Sequence, residues 1–180
     1  DVHYLSVCGS GLLARVCLAD VAGHGETIAA IGREMHVQLR KSVDMVDERR
    51  VLSALDARLA TGDHRAITTA ALLTYYPPAR RLTISYAGHP PGWIYRGATR
   101  GWQRLEIAPP PSARGPMDLP LGTGLAPGFS RARLRGTPGD RVLLLTDGIL
   151  EASAPGGEEF GVSGVDAVLA DNYGYCAEVA

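Results

Sequence analysis

The chain has 180 residues, 46% of them hydrophobic, and carries 18 Lys and Arg against 19 Asp and Glu for a formal net charge of -1. That length buries a real core and suits one domain over residues 1–180. The balanced charge excludes both the basic surplus of a nucleic-acid binder and the acidic excess of a disordered chain, and the apolar runs, such as residues 142–145, fall far short of the roughly 20 residues that cross a bilayer.

In chain order, the turn Cys8-Gly9-Ser10-Gly11 between two apolar stretches, residues 4–7 and 12–18, predicts a β-hairpin. Over residues 26–40 the apolar Ile28, Ile31, Met35 and Leu39 recur at spacings of three and four, the period of an amphipathic helix. A second helix is expected over residues 48–60, with Val51, Leu52, Leu55 and Leu59 on one face and Gly62 as its stop. Residues 66–76 and 82–86, rich in Thr, Ile, Leu and Tyr, flank Pro77-Pro78 and predict a second hairpin. Strand character continues at 92–96 and 102–107, and the Pro/Gly-rich segment 109–127 reads as a loop. Segments 130–134 and 141–145, on either side of Thr137-Pro138-Gly139-Asp140, are expected to pair with each other, and a short helix is expected over 165–170. Strands dominate and the helices come in one early block. This predicts an α+β domain built on antiparallel sheets with helices on the outer faces, and argues against a parallel β-α-β series.

Cys8, Cys17 and Cys176 form no C-x-x-C pair and read as small buried hydrophobes of a reduced, cytoplasmic protein. No basic segment followed by an apolar stretch opens the chain, so neither secretion nor membrane contact is expected of this domain. The abrupt start at Asp1 and the end at Ala180 predict a piece of a longer protein, cut at both ends.

Three segments bear chemistry because each follows a strand and breaks it with glycine beside an acid or a histidine: Asp20-Val21-Ala22-Gly23-His24-Gly25, Ala87-Gly88-His89-Pro90-Pro91, and Thr146-Asp147-Gly148. A carboxylate at a strand end followed by small residues can project into a shallow cleft, with backbone carbonyls left open to a hard cation. Mg²⁺ or Mn²⁺ suits such a site, since these ions take oxygen ligands and keep several waters. Each motif alone also reads as an ordinary turn. His24 serves equally as a turn residue or as a contact to substrate, whereas His89 reads as part of a rigid turn. His3, His36 and His64 are expected to be ordinary surface or core histidines, and Arg80, Arg81, Arg131, Arg133 and Arg135 solvated strand faces. No G-x-S-x-G elbow is present, and no cysteine has a marked His and acid context.

Together and in order, these segments resemble the sporulation protein E branch of the PPM (type 2C) serine/threonine phosphatases. Asp20 to Gly25 is similar to the family's D-[VG]-x-G-H/N-G segment, residues 68–74 to its T-x-x strand, and residues 87–91 to its A-G-H-x-P turn. Residues 119–122 resemble its P-L-G loop, and residues 138–161 its P-G-D…T-D-G…E…G-E-x-F-G block. The resemblance implies a layered α-β-β-α sandwich of two antiparallel sheets flanked by helices, with two Mn²⁺ or Mg²⁺ ions at one edge. It implies Asp20 as the bridging carboxylate, Val21 as a backbone carbonyl ligand, Asp147 as a ligand to the other ion, and Asp1 as the remaining ligand on the Val21 side. It further implies hydrolysis by metal-activated water of a phosphorylated protein, in this branch an anti-sigma-factor antagonist, in a chain with room for a sensor domain ahead of Asp1. Helices corresponding to 26–60 are thought to switch activity in such phosphatases.

One departure stands out. The family's final Asp, in a D-D-x-[TS] segment after the last helix, has no counterpart, since Asp171-Asn172 is followed by Tyr173-Gly174 and Asp166 lies close to Gly161. The alternative expectation is therefore a catalytically weak module that binds the same partner without efficient turnover.

Overall fold

A computed structural model describes residues 1–23, 26–61, 66–108, 116–125, 128–154 and 156–171. Strands β1 (Val2–Val7) and β2 (Ala14–Val21) form the expected first hairpin, closed by Cys8 N donating to Leu13 O at 2.9 Å. Two helices follow, α1 (Glu26–Lys41) and α2 (Glu48–Thr61), and then the hairpin of β3 (Thr68–Tyr76) and β4 (Arg81–Ala87). β5 (Gly92–Arg96) pairs with β6 (Gly101–Leu105). β7 (Ala132–Arg135), β8 (Arg141–Leu143), the four-residue α3 (Asp147–Leu150) and α4 (Gly161–Asp171) complete the described chain. No helix among the described residues is long and apolar enough to cross a membrane.

The strands make two antiparallel sheets, one in the order β1-β2-β3-β4-β7 and one in the order β6-β5-β8. Strict alternation along β2 assigns each side chain to a layer. Cys17, Ala19 and Val21 are buried toward Ile31, Met35, Leu39, Leu52, Leu55 and Leu59 of the two helices. The other face of the same sheet contributes Ala71, Leu82, Ile84 and Tyr86 to a second apolar layer, completed from the small sheet by Ile94 and Leu105. On the far side of the small sheet Trp93, 1% exposed, donates through Nε1 to Asp166 of α4 at 2.8 Å. The layers are thus helix, sheet, sheet, helix, as expected. Tyr86 ties the two sheets together, its hydroxyl donating to Leu105 O at 2.9 Å and accepting from Gly92 N at 2.8 Å.

Segments 130–134 and 141–145 do not pair with each other, contrary to the sequence-based expectation. β7 joins β4 at the edge of the large sheet, and β8 joins β5 in the small one. The turn between them crosses from sheet to sheet, and Asp140 holds it there. Its carboxylate accepts from Thr137 N and Oγ1 at 2.9 Å, from Gly97 N at 3.0 Å and from Arg96 at 2.8 Å, so the turn is fixed to the β5–β6 end rather than folded as a hairpin. The described parts of segment 109–127 carry no helix, as expected, but Leu121 is fully buried and makes an antiparallel bridge to Thr68.

A buried polar network fixes the helices to the large sheet. Arg15, fully buried, donates to Ser42 O at 2.7 Å, to Met45 O and to Thr74 Oγ1, while Glu48 at the start of α2 accepts from Thr83 Oγ1. Cys8 and Cys17 are free and buried, and burial pushes the Cys17 thiol up to about 12, so it is inert, as expected. Cys176 lies outside the described residues.

Candidate active site

Asp20 is the penultimate residue of β2, and alternation turns its side chain away from the helices, to the face that looks toward the small sheet. Asp147 reaches the same place from the other sheet, since β8 runs into residues 144–146 and then into α3, which Asp147 opens. The Asp147 carboxyl lies close enough to Asp20 for its charge to act on it. Burial and the neighbouring Asp147 carboxyl raise the Asp20 carboxyl above its ordinary range, against the lowering influence of the Val21 backbone N–H. Two carboxyls set near each other form an electron-rich pocket, where a divalent cation would relieve the repulsion.

The donor set is therefore suited to a hard cation: two carboxylates and, beside them, the Val21 segment, whose backbone is held by the Thr68 pairing and by Ala22 N donating to Ile67 O at 3.0 Å. Among the described residues no three His, Cys, Asp or Glu side chains converge on one point. The register opposes Val2 to Ala19, which brings Asp1 alongside Asp20, with its amino nitrogen 3.9 Å from Asp20 Oδ1 and its side chain 61% exposed. His24 lies outside the described residues.

His89 sits in the tight turn expected of it, within reach of the Asp147 charge. It is 8% exposed, its Nδ1 is 2.9 Å from Pro90 O, and its ring stacks on Tyr86 at 6.4 Å. Nε2 has no hydrogen-bond partner among the described residues. Burial lowers its pKa despite the opposing pull of Pro90 O and the nearby Asp147 charge, which favours the neutral ring. The signal available in the sequence was Gly88, which adopts φ +62°, where a Cβ would come within 2.5 Å of Pro120. This glycine lets the 87–91 turn press against the loop that carries Leu121 and brings His89 to the cleft.

Asp166 accepts from Trp93 and from Arg104, at 2.6 Å for the closer guanidinium nitrogen, and so serves the packing of α4 on the small sheet. Asp171 ends α4, and Asn172 onward lies outside the described residues.

Comparison with known proteins agrees with this fold. No curated protein matches the chain by sequence. Among solved structures, the RsbU and RsbW domains of Rv1364c from Mycobacterium tuberculosis superpose with a TM-score of 0.68 at 24% identity, covering 84% of this chain and 41% of that one. The SiaA-PP2C domain of Pseudomonas aeruginosa gives 0.73 at 19% identity, covering 95% and 64%. RsbX in complex with magnesium gives 0.61 at 13% identity, covering 93% and 76%. The chain thus spans less than half of the first of these structures. The profile of stage II sporulation protein E (SpoIIE) matches residues 12–179, so the chain belongs to the SpoIIE family.

Proposed function

We propose that this domain removes phosphate from phosphoserine or phosphothreonine of a protein partner, with Asp20 and Asp147 holding the metal site. The observation that carries the reading is that opposite sheets deliver these two carboxyls near enough for the charge of Asp147 to raise that of Asp20. Asp20, the Val21 carbonyl and Asp147 would hold two Mg²⁺ or Mn²⁺ ions, and the exposed Asp1 carboxylate would have to turn toward Asp20 to join them. Such ions supply a water of lowered pKa and neutralise the phosphoryl oxygens. The protein's own part is positional. β2 and β8 deliver the carboxylates from two rigid sheets, and the buried Leu121 loop braces the Thr68 end of β3 beside Asp20. No side-chain nucleophile is required.

Within this family an anti-sigma-factor antagonist is the partner that best suits the reading, in a cytoplasmic setting where thiols such as Cys8 and Cys17 stay reduced. The second reading, a weakly catalytic module that binds this partner, is favoured by one observation, that no third acidic side chain joins the pair among the described residues. Hydrolysis of a generic phosphomonoester measured with Mn²⁺, Mg²⁺ and a chelator separates the two. Metal-dependent turnover supports the enzyme, and binding of the phosphorylated partner without turnover supports the module.

A further inference from the structure

A second charged feature lies at the opposite end of the large sheet. Asp20 is level with Thr69 on β3, whereas Arg81 is level with Tyr76, which puts Arg81 roughly 23 Å along the sheet at about 3.3 Å per residue. There the register sets Arg135 of β7 opposite Arg81 of β4, and Arg133 opposite Thr83. Arg131 precedes them on the same face and lies 3.4 Å from Asp47 and 3.6 Å from Glu48. Arg81 stacks over Tyr76 at 5.2 Å. Arg80, Arg133 and Arg135 have no acidic partner among the described residues, and Arg80 is exposed on a left-handed backbone at φ 47°. Two hollows of about 480 and 320 Å³ share Arg81 and Arg133 as walls and form one continuous groove.

Like charges facing each other across neighbouring strands weaken a sheet, so Arg81 opposite Arg135 is a cost that the stacking of Arg81 on Tyr76 offsets only in part. Charged edge residues also keep sheet edges from pairing with other chains. That accounts for Arg133 and Arg135, which are on the edge strand, but not for Arg80 and Arg81, which are not.

We propose that this groove is a docking surface for an acidic segment of a protein partner, separate from the Asp20–Asp147 cleft. Planar guanidinium groups fork onto carboxylates, and four of them along one trough suit a chain of Glu or Asp side chains. Charge complementarity favours protein over nucleic acid. The domain has a net charge of -1, and Asp47 and Glu48 in the groove wall would repel a dense run of phosphates while tolerating spaced carboxylates.

The test is fluorescence anisotropy of a labelled Glu/Ser copolymer peptide with the 180-residue chain, over a range of salt concentrations. Variants are Arg133→Glu/Arg135→Glu, the milder Arg133→Gln/Arg135→Gln, and Arg50→Glu as a control on exposed α2. The expected result is salt-sensitive binding weakened roughly tenfold by the groove variants and unchanged in the control, with phosphomonoester hydrolysis at the parent level throughout. Absence of binding by the parent overturns the proposal, as does equal weakening by the Arg50 control. Groove variants that bind normally but aggregate assign the arginines to edge protection instead. Tighter binding of a single-stranded oligonucleotide of equal charge assigns the groove to nucleic acid. Because peptide binding is read without turnover, its failure is distinct from failure of the phosphatase reading.

Discussion

The carboxyl of Asp20, on the second strand of one sheet, lies within reach of the charge of Asp147, at the exit of the last strand of the other. Asp147→Asn should abolish Mn²⁺-dependent hydrolysis, by at least about 100-fold, because a neutral amide holds a divalent cation poorly. The fold should survive, since the strand that supports this residue is untouched. With chelator present the variant should melt at the parent temperature or above it, because a repulsive carboxylate pair has been removed. Equal turnover by variant and parent would sink the assignment of Asp147.

Acid stability should report on Asp140. Burial alone would push this carboxyl up, but hydrogen bonds from Thr137, Gly97 and Arg96 outweigh it and hold the group down at about 2. A carboxyl depressed on folding contributes stability that is present above its ordinary value near 4 and is lost as pH falls from there toward 2. Asp140→Asn should therefore cost about 1–2 kcal/mol at neutral pH and flatten the loss of stability between about pH 4 and 2. Urea midpoints across that range check it, and an unchanged acid limb would show that the turn does not depend on the charge.

Tyr86→Phe should destabilise the sandwich by about 1–3 kcal/mol, since it leaves Leu105 O and Gly92 N without their shared partner in the interior. Its phenol, raised to about 12 by burial, stays neutral across the working range, so the loss should be independent of pH between 5 and 9 in that respect. Thermal melts at several pH values measure this. A loss that varies with pH would point to another group.

The helix pair offers a separate question. Ile31 and Leu55 are fully buried against the sheet that carries Asp20. Ile31→Ala and Leu55→Ala should each cost about 2–5 kcal/mol. If α1 and α2 also regulate the site, both variants should change the Mn²⁺ concentration for half-maximal activity more than the substrate KM, because small displacements of a catalytic constellation are costly. Variants that lose only thermal stability would make the helices scaffold.

The sequence by itself determined the local elements and the chemical cast. The three-and-four spacing of Ile28, Ile31, Met35 and Leu39 yields α1, and Pro77-Pro78 yields the β3–β4 turn, because helix period and turn stereochemistry act over a few residues. Asp20 and Asp147 stood out for a similar reason, each being an acid at a strand end with glycine close behind. Only the tertiary structure decided which strands meet. Residues 130–134 and 141–145 carry every local mark of a hairpin, yet Asp140 fixes their turn to Arg96 and Gly97 and sends them into different sheets. The same long-range choice brings Asp147 to Asp20 and His89 toward Asp147, and leaves Arg81 facing Arg135. Pairing between strands far apart in the chain depends on which apolar faces bury each other, and that is a property of the whole packed core rather than of any one segment.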